Sequence, residues 1–324
     1  MSSFVARVGG SILTGAFALA VAAPAADVFV GGPAGQIYRG DSQLGDFESF
    51  GLCGGSIDSM AVYDNQLYAG TVDGTVYRID LLTHQIVSSF TVSNDATAVA
   101  VHGQELLISG TDGTIIRVDP ETGAELGTFQ THIPMGIEAM TVRGDYAYIG
   151  GDEGSVWRVN LLNGTDTYFA CVCFTRVQAL DTDDTHLILA EEAGLISRIR
   201  LTTGQIDQVY FVSPAPRAVK VYGQELLVSD NSGDLVRVNS QNGQVINSFS
   251  APIEVDAMAG LPEPQCPADL SGNGEVNLVD LSIILSNFGT VDGMRHEDGD
   301  IDGDGDVDLA DLSALLTDYG TSCN

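Results

Sequence analysis

Apolar residues in most of this chain fall in short runs, broken at short intervals by polar turn residues. One stretch reads Ala98–Val101, Glu105–Ser109, Gly113–Val118 and Glu125–Phe129, divided by His102-Gly103, Thr111-Asp112 and Thr122-Gly123. Runs this short, parted by Gly and Asp, predict antiparallel strands joined by hairpins. The pattern then recurs. Gly35-Gln36-Ile37-Tyr38-Arg39 returns as a glycine-to-arginine stretch beginning at Gly74, Gly113, Gly154, Gly194 and Gly233, at spacings of 39, 39, 41, 40 and 39 residues. Six copies with a period near 40 and four strands each predict a β-propeller. The first copy opens at Asp27-Val28-Phe29-Val30 without an innermost strand before it. Glu254–Gly260 matches the opening strands at Ile57–Ala61 and Ile137–Thr141, so the C-terminal end of the β-rich region is expected to supply the missing strand and close the ring. An open β-solenoid is the alternative.

The period changes near the C-terminus. Leu281, Ile284, Leu285 and Phe288, and again Leu312, Leu315, Leu316 and Tyr319, recur at helical spacing. Two helices are predicted, Leu278–Phe288 and Leu309–Tyr319, each ending at a glycine suited to a left-handed cap (Gly289, Gly320). The fold class is therefore mainly β, a six-bladed propeller with a small α-helical domain. The boundaries read as 27–261 for the propeller, 262–265 for a linker marked by Pro262 and Pro264, and 266–324 for the helical domain.

Residues 1–26 have the three parts of a secretory signal: Arg7, an apolar run Val8–Ala22, and small residues Ala23-Pro24-Ala25-Ala26 before Asp27. The run is too short for a transmembrane helix. The expectation is a secreted, extracellular or cell-surface protein with no membrane insertion after cleavage.

Charge narrows the partners. Forty-four acids face 13 bases, for a net charge of −31, and Lys220 is the only lysine. A chain this acidic lacks the basic patch that nucleic acid requires. Six of its twelve arginines stand at one repeat position (Arg39, Arg78, Arg117, Arg158, Arg198 and Arg237). They could form a ring of forked donors for a ligand. Because all six copies keep the residue, pairing with a neighbouring blade's backbone or carboxylate is the preferred reading. No catalytic group can be assigned. The five histidines never fall at metal-ligand spacing, and the acidic pairs Asp152-Glu153 and Glu191-Glu192 sit where hairpin turns are expected.

The blade text, such as Arg117-Val118-Asp119-Pro120-Glu121-Thr122-Gly123, resembles pyrroloquinoline-quinone-type and WD-repeat-like propellers. The resemblance implies the fold and not the quinone: Cys171 and Cys173 are not adjacent, and Trp157 is the only tryptophan.

The tail carries the more specific chemistry. Asp269–Asp280 and Asp300–Asp311 are matched twelve-residue segments. Each places oxygen side chains at positions 1, 3, 5 and 12 (Asp269, Ser271, Asn273 and Asp280; Asp300, Asp302, Asp304 and Asp311) and glycine at position 6. Calcium takes six to eight such oxygens, the glycine permits the sharp turn, and position 7 (Glu275, Asp306) adds a backbone carbonyl. Two calcium sites are expected. The second loop has four side-chain carboxylates against two in the first, so it should fill first. With no helix before Asp269 and Asp at position 12 in both copies, residues 266–324 resemble a type I dockerin, an EF-hand-like module that binds cohesins and tethers secreted enzymes. Its partner-reading positions here are Leu278-Val279 and Leu309-Ala310, unlike the usual Ser/Thr pair. If the two halves pack with twofold symmetry, the ends of the tail lie together and Cys266 pairs with Cys323. Cys53, Cys171 and Cys173 stay unassigned, buried free thiols being the simplest reading.

The function expected is a secreted calcium-binding protein. Its propeller would bind a protein or glycan, and its dockerin-like tail would tether it to a cohesin-like protein or cell-surface component. A polysaccharide hydrolase or lyase carried on the same tether is the alternative.

Overall fold

The computed structural model describes residues 27–41, 46–133, 136–151, 153–172, 175–213, 215–260, 268–271, 275–291, 294, 298–301 and 306–321. Among them are twenty-four strands, β1 to β24 in chain order, followed by two helices. The strands form six four-stranded antiparallel sheets, each a propeller blade. Five blades take four consecutive strands. The sixth joins β1 (Asp27–Gly31), β2 (Gln36–Asp41) and β3 (Phe47–Leu52) to β24 (Ala257–Gly260) in the order β24-β1-β2-β3. In that blade Val28 faces Gly260 and Gly31 faces Ala257.

The repeated glycine has a steric reason. Gly74 and Gly233 have φ of +79° and +86°, and an added Cβ would lie 2.3 Å from the Asn94 carbonyl oxygen or 2.4 Å from that of Ile253. Only glycine combines that backbone with so close an approach. The Val-Asp-x-x-Thr-Gly text is a turn: the Asp119 carboxylate accepts from the Glu121 and Thr122 amides at 3.0 and 2.8 Å and from the Thr122 hydroxyl at 2.8 Å.

Innermost strands β4 (Ile57–Tyr63), β8 (Ala98–His102), β12 (Ala139–Arg143), β16 (Val177–Thr182), β20 (Pro216–Tyr222) and β24 neighbour one another in sequence around a central channel. The core lies between blades. Leu107 and Ile115 of one blade, for example, pack with Ile149 and Val159 of the next, all fully buried. Burying one such aliphatic side chain contributes about 1.5–3 kcal/mol.

Helices α1 (Leu278–Asn287) and α2 (Leu309–Asp318) stop within a residue of the expected ends, with Gly289 and Gly320 both at φ +85°. Their apolar faces are narrower than the spacing suggested. Ile284 and Leu315 are fully buried and Leu281 and Leu312 partly so, but Leu285, Phe288, Leu316 and Tyr319 are exposed. No helix among the described residues is long and apolar enough to cross a membrane.

Candidate functional site

Two places bring chemistry-bearing side chains together: the mouth of the channel and the acidic loops beside the helices. The channel encloses about 510 Å³. One residue of each innermost strand, or of the turn just before it, stands at the same repeat position on its wall: Asp58, Thr97, Glu138, Gln178, Arg217 and Asp256. The first five each precede a repeated glycine by 16 residues. This position departs from the sixfold repeat, which the arginines keep. Glu138 lies 3.6 Å from Arg176, and Asp256 lies 3.9 Å from Arg217. Burial pushes Asp58 up to about 6, with Asp256, Glu138 and Asp95 adding to the rise and Arg217 opposing it. Burial also raises Asp256, against Arg217 and together with Glu254. Further along the wall, Lys220 and Asp181 form an ion pair at 3.0 Å where four other blades carry Ala61, Ala100, Thr141 and Ala259. Sequence reading passed over these residues because it followed what repeats. Alignment on the glycines would have shown this position as the one that varies.

The six repeated arginines are structural. Each sits twelve residues after a partner on the adjacent strand of its own blade, so the pairing is within a blade more than between blades. Arg117 donates to Glu105 at 2.7 and 2.6 Å and covers the Phe129 ring. Arg39 pairs with Asp27, and Arg237 with Glu225. Arg78 donates to Gln66 at 3.3 Å and also reaches Glu121 of the next blade at 2.9 and 3.0 Å. Arg198 donates to His186 at 3.1 Å, and Arg158 lies 4.8 Å over the Tyr146 ring. Of the two acidic pairs, Glu191 is buried and accepts from the hydroxyls of Thr175 (2.9 Å) and Ser197 (2.7 Å), which is a turn role. Asp152 lies outside the described residues.

In the tail, the loops and helices interlock as a twofold pair. Val276 of the first loop bonds to Gly320 and Thr321 at the end of α2, and Val307 of the second bonds to Gly289 and Thr290 at the end of α1. The position-12 aspartates are fully buried. Asp280 accepts from the Ser271 and Asn277 amides at 2.8 Å each, and Asp311 from the Ile301 and Asp308 amides at 2.7 and 2.8 Å. Burial alone would raise Asp280, but its backbone donors outweigh that and hold it below the ordinary carboxylate range. Asp300 is buried, Asp269 is partly exposed with the Ser271 hydroxyl 3.4 Å away, and Glu275 is exposed. Carboxylate oxygens of Asp306, Asp308 and Asp311 lie within 4.8 Å of one another, close enough to share a cation. Position 7 of the second loop thus brings its carboxylate as well as its carbonyl, and Asp308 joins at position 9. An oxygen-only donor set of this kind, with Asp311 buried, Asp306 half-buried and Asp308 exposed, fits a hard divalent cation. Asn273, Asp302, Asp304, Cys266 and Cys323 lie outside the described residues, as do the 1–26 segment and the 262–265 linker.

The cysteine reading needs one correction. Cys171 is disulfide-bonded, so it is not a free thiol. Cys53 is free and buried, and burial pushes its thiol up to about 12, so it stays protonated and inert.

Comparison with known proteins finds one family. The sequence pattern described as "Outer membrane protein assembly factor BamB" matches residues 51–254, which is 204 of the 324 residues. No curated protein matches the sequence significantly. Among solved structures, a chain of a nidogen/laminin complex superposes with a TM-score of 0.63 at 12% identity, covering 72% of this chain and 97% of that one. The WD40 propeller domain of Doa1 gives 0.57 at 14% identity, covering 72% and 81%. A chain of the mitotic checkpoint complex gives 0.56 at 14%, covering 72% and 79%. Identities this low speak for the fold alone.

Proposed function

The chain belongs to the family of the outer membrane protein assembly factor BamB, and from that premise we propose that its propeller is a protein-binding module in a secreted protein, carried on a calcium-binding, dockerin-like tail. The observation that carries this reading is the twofold tail. Two matched loops each present a buried position-12 aspartate, and each is locked to the far end of the other unit's helix. Calcium, when bound, supplies a charge centre that draws the loop oxygens together. Asp300, Asp302, Asp304, Asp306 and Asp311 would hold one ion, and Asp269, Ser271, Asn273, Glu275 and Asp280 the other. The chain's own residues do the rest: Asp280 and Asp311 start α1 and α2 by accepting from the backbone of their own caps.

The tether reading has a surface to act through. Leu278 and Leu285 are 70% and 58% exposed, and Leu309 and Leu316, at the same positions of the second unit, are 71% and 54% exposed. Keeping four leucines in solvent in both halves of a duplication suits an apolar partner surface. The propeller's contribution is the channel mouth, which varies where the rest of the blade repeats. Calorimetric titration of the full chain with calcium tests the reading, followed by chelator-reversible retention of purified cohesin domains on the immobilised chain. Calcium uptake in two steps with retention is expected. Absence of uptake would overturn the tail assignment, and polysaccharide turnover by the propeller would replace the binding reading with an enzymatic one.

A further inference from the structure

The channel wall gathers the carboxylates of Asp58, Glu138, Asp181 and Asp256 with the cations of Arg143, Arg217 and Lys220. Asp58 on β4 shares the channel wall with Asp256 from the turn before β24, Glu138 before β12 and Arg217 on β20, and Asp95, in the turn before β8, adds its negative charge. Arg176, just before β16, lies against Glu138 and Arg217 against Asp256, while Glu254 adds negative charge next to Asp256. Thr97 and Gln178 complete the position without charge. β4 and β24 are neighbours in the ring, and β24 reaches its blade from the opposite end of the β-rich region. The Asp256 amide donates to the Gly31 carbonyl at 2.9 Å, so Asp256 sits at the start of the strand pairing between β24 and β1.

We propose that the channel mouth is an acid-tightened clasp, in which protonation of Asp58 relieves the cost of its buried charge and the repulsion from Asp256, Glu138 and Asp95, and so strengthens the ring where β24 joins it. The sign follows from linkage. The folded form holds the Asp58 proton up to about pH 6, against an ordinary value of 3.8. Its contribution is therefore complete below 3.8 and is lost as the pH rises through 6. Hairpin carboxylates such as Asp80 and Asp119 do not enter this window. Both are held below the ordinary range by the Thr83 and Thr122 amides and hydroxyls, so they stay ionised throughout.

The test is thermal unfolding of the full chain at saturating calcium, at pH 5.0 and pH 7.5, for wild type, Asp58→Asn and Arg217→Gln. Asp58→Asn is expected to raise the propeller midpoint by about 3 °C at pH 7.5 and by about half as much at pH 5.0, inside the window where the wild-type contribution is being lost. Arg217→Gln removes the opposing cation and is expected to steepen the wild-type loss between the two pH values. Equal shifts of Asp58→Asn at both pH values, a lower midpoint at pH 7.5, or an Arg217→Gln slope matching wild type would each overturn the clasp.

Discussion

The propeller and the tail hold themselves together by different means. Between its blades the propeller buries aliphatic side chains by the dozen, many of them fully, among them Leu107, Ile108, Ile149, Leu187 and Leu226. Among the described residues, the tail's buried apolar cluster is six: Ala268, Val276, Ile284, Ile301, Val307 and Leu315. Around that small cluster stand the acids. Residues 266–324 hold 13 acids and one base, Arg295, a net −12 in 59 residues. On the proposed reading, a unit with so thin a core and so much like charge would depend on its cation to stay folded. The large domain is stable through burial, and the small one, on the proposed reading, would be stable through calcium.

The largest effect should therefore come from calcium. Chelation is expected to unfold the tail while leaving the propeller's strand signal and melting midpoint in place, read by circular dichroism and hydrogen exchange on one sample. Asp311→Ala should reproduce the loss for the tail alone, because it removes both a loop carboxylate and the acceptor for two backbone amides. A core truncation gives the converse. Leu107→Ala should cost the propeller about 2–5 kcal/mol, visible in its denaturation midpoint, with calcium affinity unchanged. A smaller change is expected at the rim. Arg117→Ala breaks one forked pair and one ring contact, for about 1 kcal/mol. The partner Glu105 is held low mainly by the hydrogen bond from Arg117, so the contribution is complete above the ordinary value of 4.5 and fades as pH falls through the lowered one. The smallest effect on stability belongs to Leu278→Ser with Leu309→Ser. Both sites are exposed, so unfolding should shift by less than about 0.5 kcal/mol, yet retention of an apolar partner should be lost.

The two regions also differ in how far they can be read from sequence. Six blades were legible because the repeated glycine takes a positive φ in every copy, from +69° at Gly154 to +90° at Gly194. The helices were legible from leucine spacing and from Gly289 and Gly320, but their apolar faces were overestimated. Leu285 and Leu316 follow the helical period as well as Ile284 and Leu315 do, and only the packing separates the exposed pair from the buried one. Asp58 and Asp256 were passed over for a different reason. They lie almost 200 residues apart, and the ring brings them to one mouth. The Arg117–Glu105 type of pair was foreseen as structural, though not that its partner would come from the adjacent strand of the same blade.

Differential scanning calorimetry of the full chain, with and without calcium, tests the division of labour most directly. Two transitions are expected, a small one that calcium moves upward by many degrees and a large one that stays where it is. A single transition indifferent to calcium, or two that rise together, would contradict it.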